Sequence, residues 1–340
     1  MSKHIAVPVL SATLAAMLLL PALLLPRRLA AAEGPTIRWL QDEGSLTLKK
    51  GERTLWRLNF QKAEGKPYFH PVVAAGGTEL TWHQPPDHPW HRALWFSWKF
   101  IDGVNYWEEN PATGKVDGET EILGTETEIV AGEWARIAMR LSYHPPGKPP
   151  VLTEERTLRI TVPDGQGAYR IDWTSSFDGG SKDVRLDRTP IPGEKDGVAW
   201  GGYAGLSLRT AKSFRGWKVV DSEGRRDLET SAKTSRWVDF SGTPESGAAT
   251  GTGGAAGVSA GVSILDHPKN PRHPTPWYVI LQPEGPFGYF SPAFVYREPY
   301  VIKAGGKLVL RYRIVIHDGL GDSQAVEAEW KRWAAEAITP

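Results

Sequence analysis

Apolar and polar residues alternate with a period of two along much of the sequence, and this alternation limits the fold more than any other feature. The pattern covers residues 120–130, 134–143, 157–162, 168–177 and 307–316. Successive side chains of a β-strand point to opposite faces of its sheet, so each segment is predicted to be a strand with one buried face. The 36 glycines and 27 prolines suit tight turns and exclude long helices. We therefore predict an all-β protein, an antiparallel β-sandwich of short strands.

One helix is predicted near the C-terminus, over about residues 322–337, with Asp322 or Ser323 as its N-cap. Its apolar residues recur at helical spacing on one face, at Val326, Trp330, Trp333 and Ala337. We expect this face to pack over the sandwich, with the tryptophans as core contacts. The low-complexity segment 242–257 is predicted to be a loop, and no linker divides the rest of the chain. Residues 33–340 are therefore expected to form a single domain that ends in the helix.

The first 32 residues have the parts of a secretory signal peptide. An apolar segment at 5–25 follows Lys3 and precedes small residues at 30–32 that fit a cleavage site. Export would place the mature protein in the periplasm or outside the cell. Because Arg27 and Arg28 follow the apolar segment, and about 20 apolar residues suffice to cross a bilayer, an uncleaved membrane anchor is the alternative.

Composition and missing motifs argue against several classes of function. The formal net charge is +1 and no run of lysine and arginine occurs, which argues against a nucleic-acid partner. The chain has no cysteine, so it has no disulfide, no thiolate nucleophile and no cysteine-based metal site. It also lacks the P-loop and H-E-x-x-H motifs. Nucleotide-driven chemistry is therefore not expected.

The string Asp-His-Pro occurs twice, at 87–89 and at 266–268, and another histidine follows each copy. A residue before proline is restricted to extended conformations, which holds an imidazole in a rigid loop. A nearby carboxylate can fix the tautomer of that imidazole, as acid–base catalysis requires. Because Pro89 favours a turn, the first two histidines are expected to converge. We expect one shared site, with two separate structural loops as the alternative, and its catalytic candidates are His88, His91, His267 and His273.

Residues that suit a sugar cluster around the first loop. Sugars need hydrogen-bonding groups for their hydroxyls and flat apolar surfaces for their C–H faces. The chain has 15 tryptophans, and the guanidinium of Arg92 fits a carboxylate or a vicinal diol. A strand would place Trp95 and Trp98 on opposite faces, so about half of these indoles are expected in the core. The residues expected to bind a saccharide are Arg92, Trp95, Asp102, Asn105, Trp107, Asn270 and Trp277.

Two glutamates are candidates for a catalytic base, and the histidines suggest a metal site as an alternative. Glu298 lies before Pro299 at a predicted strand end, where a surface salt bridge is its alternative role, and Glu284 lies in another turn. The spacing His-x-x-His at 88–91, completed by a remote histidine or carboxylate, would suit zinc, copper or iron, but this spacing alone is a weak metal signal. We expect no cofactor, with a bound metal as the alternative.

Four segments carry a family resemblance: KPYFHP at 66–71, DHPWHRALW at 87–95, GGYAGLS at 201–207 and DHPKNPRHP at 266–274. They resemble a bacterial family of unknown function, DUF6807, whose members are often labelled PmoA-like methane oxygenases. That label implies a copper-dependent oxygenase subunit that crosses the membrane several times. This chain has one apolar segment and a β-rich body, so the oxygenase function is not carried over.

A more distant resemblance is to galactose-mutarotase-like β-supersandwich proteins, through residues 302–306 and the pair Tyr312 and Arg313. In that class, a histidine protonates the ring oxygen of a sugar and a carboxylate removes the anomeric proton. The resemblance implies the same supersandwich fold here. It also implies an acid and a base drawn, respectively, from His91 or His267 and from Glu298 or Glu284.

The leading hypothesis is an exported carbohydrate-active enzyme with histidine and glutamate acid–base chemistry. Epimerase, lyase and hydrolase reactions all stay open, because one acid–base pair on a saccharide can serve each of them. The first alternative is a noncatalytic glycan-binding protein, and the second is a histidine-ligated metalloprotein. The expected partner is a saccharide or glycan, with no nucleic acid and no membrane span unless the leader is retained.

Overall fold

Short strands make up most of the chain in the computed structural model, which describes residues 36–110, 115–245 and 258–337. The predicted leader at 1–32 and most of the predicted loop at 242–257 lie outside these residues. The first eleven strands are β1 (Ile37–Gln41), β2 (Ser45–Lys50), β3 (Arg53–Asn59), β4 (Tyr68–Val72), β5 (Leu94–Ser97), β6 (Phe100–Ile101), β7 (Val104–Asn105), β8 (Glu109–Asn110), β9 (Lys115–Val116), β10 (Glu119–Val130) and β11 (Trp134–His144). The others are β12 (Leu152–Thr161), β13 (Tyr169–Asp178), β14 (Val184–Asp187), β15 (Gly205–Arg209), β16 (Phe214–Asp221), β17 (Trp237–Pro244), β18 (Ala260–Asp266), β19 (Trp277–Gln282), β20 (Phe287–Pro292), β21 (Tyr300–Ile302) and β22 (Lys307–Asp318). Within the described ranges, the helical elements are two 3₁₀ turns, Lys62–Glu64 and Asp227–Thr230, and one α-helix, α1 (Ser323–Ala335).

Two eight-stranded antiparallel sheets carry most of these strands. The first sheet has the order β1-β2-β3-β4-β5-β15-β20-β19, and the second has the order β10-β11-β12-β13-β22-β18-β17-β16. The smaller sheets are β21-β14-β6-β7 and β8-β9. The five segments predicted from period-two alternation are observed as β10, β11, β12, β13 and β22. The prediction of an all-β antiparallel sandwich with a C-terminal helix is confirmed.

The main core packs the inner faces of the two sheets together. Leu94 and Phe96 of β5 and Phe290 of β20 come from the first sheet, and Leu158 and Ile171 come from the second. Burial of such apolar side chains is the dominant favourable contribution to folding. Because side chains alternate along a strand, residues between these positions point to the other face of their sheet.

The outer face of the second sheet is covered by α1. Asp322 caps the helix, since its Oδ1 accepts a hydrogen bond of 2.9 Å from the backbone nitrogen of Gln324. Trp333 packs with Trp237 and Leu265 of this sheet, and Trp330 packs against the same cluster. The predicted helix and the core role of its tryptophans are thus observed. Among the described residues, no helix is both long and apolar enough to cross a membrane.

Strand β10 forms one edge of the second sheet and is 12 residues long. Its register with β11 shifts between Ile122 and Gly124, which is a β-bulge. The exposed side chains of the strand include Glu121, Glu126 and Glu128. A long open edge therefore combines a bulge with repeated negative charge.

Candidate functional site

A cluster of aromatic residues, separate from the main core, lies on the outer face of the first sheet. Trp95 of β5 belongs to this cluster, whereas Trp98 belongs to the main core. This confirms the prediction that a three-residue offset separates these two indoles. The cluster consists of Tyr68, Trp95, Trp107, Tyr278, Phe287, Tyr289 and Ala293, with Trp90, Tyr203, Ile280 and Tyr296 packed against it. The sheet therefore carries the core on one face and an aromatic surface on the other.

This aromatic surface forms a cleft of about 700 Å³. Pockets of this size are typical of sites for small ligands. Trp200 is 54% exposed and lines the cleft, and its carbonyl accepts a hydrogen bond of 3.1 Å from Tyr278 Oη. The lining residues are His88, Trp90, His91, Lys99, Asn105, Trp107, Glu108, Glu109, Asp117, Trp200, Tyr203, Tyr278, Ile280, Gln282, Phe287 and Tyr289.

His88 and His91 converge in a turn before β5, as Pro89 predicts. The backbone nitrogen of His91 donates a hydrogen bond of 2.9 Å to the carbonyl of His88, and the two ring centroids are 4.6 Å apart. His91 is only 4% exposed, and its ring lies 5.1 Å from that of Trp95 beneath it. Burial, with smaller contributions from nearby positive charges, holds the pKa of His91 well below its usual value. His91 is therefore a neutral imidazole at neutral pH, and its buried Nδ1 has no hydrogen-bond partner among the described residues.

A buried arginine anchors the loop that carries His88. Arg209 of β15 is fully buried, and its Nη2 lies 2.8 Å from Oδ2 of Asp87. The same carboxylate oxygen lies 3.1 Å from Nδ1 of His88, a close contact whose angles are not those of a hydrogen bond. Burial opposes ionisation of Asp87, but the hydrogen bond and charge of Arg209 outweigh it, so the pKa of Asp87 is lowered. The carboxylate is ionised and fixes the position of His88.

Glu108 is the centre of a polar cluster in the wall of the cleft. It forms an ion pair with Lys99, and its two carboxylate oxygens accept hydrogen bonds of 2.7 Å from Tyr203 Oη and 2.8 Å from Asn105 Nδ2. Burial would raise the pKa of Glu108, but the Lys99 ammonium and these donors lower it on balance. The cleft therefore presents an ionised carboxylate in a rigid setting.

Lys66 lies behind this wall. It is 9% exposed, and its Nζ donates a hydrogen bond of 2.9 Å to the carbonyl of Trp107. Burial, together with the positive charge of Arg92, lowers the pKa of Lys66 to about 7. A lysine with such a pKa exchanges its proton near neutral pH.

The second Asp-His-Pro loop does not share this cleft, so the predicted meeting of the two loops is wrong. His267 is buried against Trp333 of α1, with ring centroids 4.8 Å apart, and lines a different cavity. Nδ1 of His273 lies 2.7 Å from Oδ2 of Asp266, and its ring stacks on Trp330 at 6.0 Å. The reason is topological: Asp266 ends β18 in the second sheet, whose outer face α1 covers.

Both predicted catalytic glutamates lie outside the cleft lining. Glu298 is exposed and forms an ion pair of 3.1 Å with Arg272, which is the alternative role considered for it. Glu284 is exposed in the turn between β19 and β20. The cleft is lined instead by Glu108, Glu109 and Asp117, of which Glu108 is held by the hydrogen bonds described above.

Two of the seven predicted saccharide-binding residues line the cleft, namely Asn105 and Trp107. Arg92 lines an adjoining cavity. The remaining four are placed in structural positions. Trp95 is fully buried in the cleft floor, and Trp277 is fully buried in the main core. Asp102 accepts a hydrogen bond of 2.8 Å from the backbone nitrogen of Arg185. Asn270 is buried and donates a hydrogen bond of 2.8 Å to Asp266.

Several residues that line the cleft were not predicted from the sequence. These are Lys99, Trp200, Tyr203, Tyr278, Phe287 and Tyr289. Tyr278 and Tyr289 each neighbour a core residue in sequence, so strand alternation could have placed them on the opposite face. Tyr203 follows a glycine pair in which Gly202 has φ of +106°, and a Cβ there would lie 2.5 Å from the ring of Tyr296. Only glycine fits at that position, so the GGYAGLS segment sets the path of the chain into the cleft.

Metal ligation was the alternative reading of the histidines. In the ranges that the structure covers, no group of three or more histidine, aspartate or glutamate side chains is arranged to hold a metal ion. His88 and His91 lie together, but His267 and His273, proposed to complete the ligand set, contact α1.

Comparisons with known proteins give a family but no activity. No curated protein matches the chain by sequence. One similar solved structure is the galactosidase domain of alpha-galactosidase-sucrose kinase, AgaSK, with 8% sequence identity and a TM-score of 0.41. That alignment covers 83% of this chain and 42% of the other, so the chain spans less than half the length of that protein. A family model described as "Family of unknown function (DUF6807)" matches residues 45–331, and the chain therefore belongs to the DUF6807 family.

Proposed function

We propose that the protein is carbohydrate-active and that the cleft on the first sheet binds a saccharide. The observation that carries the proposal is the combination of aromatic faces with a fixed, ionised carboxylate in one cleft. Trp200 and Trp90 offer ring faces on which the C–H groups of a sugar can stack. Glu108 can accept hydrogen bonds from sugar hydroxyls without losing its own partners, since an ionised carboxylate has about four acceptor positions.

The size and polarity of the cleft fit this class of ligand. A volume of about 700 Å³ lies within the range of small-molecule sites. Neutral imidazoles at His88 and His91 can each donate or accept a hydrogen bond, depending on the tautomer, and so can pair with a hydroxyl in either sense. Location in the periplasm or outside the cell, with a membrane anchor as the alternative, is part of the same proposal and rests on residues 1–32.

The test is a binding screen with a matched pair of tryptophan variants. Wild-type protein is titrated calorimetrically with neutral mono- and oligosaccharides. Trp200→Ala is expected to raise the Kd of any bound sugar at least about tenfold, because losing a tryptophan face on which the sugar stacks is expected to cost more than about 1.4 kcal/mol. Trp134→Ala, on a strand of the second sheet, is the control and should leave Kd unchanged. Equal effects of the two substitutions, or no binding by any sugar, would contradict the proposal.

A catalytic role in proton abstraction is the second candidate, and a specific observation favours it. Glu108 and His91 line the same cleft, one as an ionised carboxylate and the other as a neutral imidazole, so each has a lone pair that can accept a proton; the lowered pKa makes each a weaker base than usual. An epimerase or lyase begins with such an abstraction, whereas a hydrolase must also protonate the leaving oxygen.

Deuterium exchange at carbon identifies an epimerase or lyase, because a hydrolase and a noncatalytic glycan-binding protein both leave the C–H bonds of the sugar intact. In D₂O, the wild-type enzyme is expected to introduce deuterium at a carbon of the bound sugar, as read by mass spectrometry. Glu108→Gln should slow this exchange by about 100-fold or more, since general-base catalysis typically contributes that much. Binding of the sugar with neither exchange nor cleavage in the wild type would leave the noncatalytic function as the answer.

A further inference from the structure

A second cavity of about 440 Å³ adjoins the aromatic cleft. Trp90 and Glu109 line both cavities, so the two are joined at these side chains. The second cavity is formed by the 3₁₀ turn Lys62–Glu64, the start of β10 and the end of β11. Its lining residues are Lys62, Ala63, Glu64, Gly65, Lys66, Trp90, Arg92, Glu109, Val116, Gly118, Glu119, Thr120, Glu121 and His144.

The chemistry of this second cavity differs from that of the cleft. Among the described residues that line the second cavity, only Trp90 and His144 are aromatic. Most of the others are charged or polar. Carboxylates come from Glu64, Glu109, Glu119 and Glu121, and cations come from Lys62, Lys66 and Arg92. The charges nearly balance, with carboxylates in slight excess. A neutral ligand rich in hydroxyl groups therefore fits better than an anionic one.

The polar groups of this cavity are only partly satisfied by one another. Arg92 lies 3.8 Å from Oε2 of Glu64 and 3.9 Å from Oε1 of Glu109, which is too far for hydrogen bonds. Nε of Arg92 and Oε2 of Glu64 are buried without a hydrogen-bond partner in the part of the chain that the structure describes. Buried polar groups of this kind are usually paired, so these atoms leave unused hydrogen-bonding capacity at the cavity wall.

Lys66 adds a nearly enclosed donor to the same cavity. It is 9% exposed, and the single hydrogen bond of its Nζ within the described residues goes to the Trp107 carbonyl. Its nitrogen carries at least two N–H donors in either protonation state, so it has capacity for a ligand hydroxyl. Lys66 thus connects the backbone of the cleft wall with the second cavity.

We propose that this cavity is a second saccharide subsite, so that the protein binds a neutral oligosaccharide of at least two units across Trp90. One unit lies in the aromatic cleft, and the next presents its hydroxyls to Arg92, Glu64 and Glu109. The guanidinium and the two carboxylates line the same cavity without hydrogen bonds to one another, so each can bond to a separate hydroxyl of the ligand. This inference rests on the proposed function of the cleft.

The test measures how affinity depends on chain length. Mono-, di- and trisaccharides of glucose, galactose, mannose and xylose are titrated against the full chain. In the wild type, the disaccharide of the bound series is expected to bind at least about tenfold more tightly than its monosaccharide. Arg92→Lys keeps the charge but loses the planar fork, and should reduce this ratio to about threefold or less. Arg136→Lys, on β11 and outside both cavities, should keep the ratio at its wild-type value.

A second variant keeps the proposal testable if Arg92→Lys fails to fold. Glu64 is a partly exposed member of the proposed subsite, so Glu64→Gln should fold normally and also reduce the ratio. A wild-type ratio near one, with the monosaccharide bound, would overturn the second subsite and leave the proposed function standing. A failure of every sugar to bind would overturn both. An unchanged ratio in both variants would also overturn the subsite.

Discussion

Replacing Arg156 by methionine is expected to lower the free energy of unfolding by about 3–5 kcal/mol, because it leaves Glu154 as an unpaired charge in the main core. Both side chains are fully buried, and Arg156 forms two hydrogen bonds with Glu154, of 2.7 and 2.9 Å. Ser175 Oγ donates a third hydrogen bond of 2.6 Å, and Tyr143 Oη donates a fourth. Urea unfolding followed by tryptophan fluorescence measures the loss.

The double substitution Glu154→Leu/Arg156→Met is the control for this prediction. Removing both charges also removes the cost of keeping them from water, so the double variant should be more stable than Arg156→Met alone. The hydroxyls of Tyr143 and Ser175 lose an acceptor, which limits the recovery. If the double variant were as unstable as the sum of its single variants, Glu154 and Arg156 would not be coupled and the explanation would be wrong.

Trp333→Ala is expected to destabilise the protein by about 3–5 kcal/mol, the usual range for truncating a buried tryptophan. Its indole is buried between α1 and the second sheet, where it packs with Trp237 and Leu265. The ring of His267 also contacts it, at 4.8 Å between centroids. Thermal unfolding of the two proteins gives the difference.

The same variant tests whether the second Asp-His-Pro loop takes part in the site. Since His267 and His273 contact α1, Trp333→Ala should disturb their surroundings and leave the Kd of a bound sugar within about twofold, provided that the protein is folded. Trp200→Ala should show the reverse, with nearly unchanged stability and weaker binding. A large loss of sugar affinity in Trp333→Ala would mean that the loop of His267 does contribute to the site.

Local periodicity explains why so much of the fold could be predicted. In strands β11, β12, β13 and β22, buried side chains largely alternate with more exposed ones, so their sequences show the period of two. In β10 this alternation is limited to the first residues, up to Ile122. The sequence of α1 likewise shows the helical spacing of its apolar residues and the N-cap residue Asp322. The convergence of His88 and His91 could also be predicted, because Pro89 restricts the conformation of the turn locally.

The composition of the site depended on long-range pairing, which leaves little local trace. The two loops share the tripeptide Asp-His-Pro, yet one precedes β5 in the first sheet and the other follows β18 in the second. Glu108 gains its role from Lys99 and Tyr203, and Tyr203 lies 95 residues away. Strand order, rather than any motif, decides which of these side chains meet.

The open edge at β10 has a consequence for the behaviour of the protein at high concentration. An unpaired strand edge can template the addition of a strand from another molecule, which is a route to fibrils. Two copies meeting along β10 would bring Glu126 and Glu128 of each chain close to like charges, and the bulge at Ile122 would interrupt the ladder of backbone bonds. The negative charge and the bulge therefore both oppose pairing between the β10 edges of two molecules.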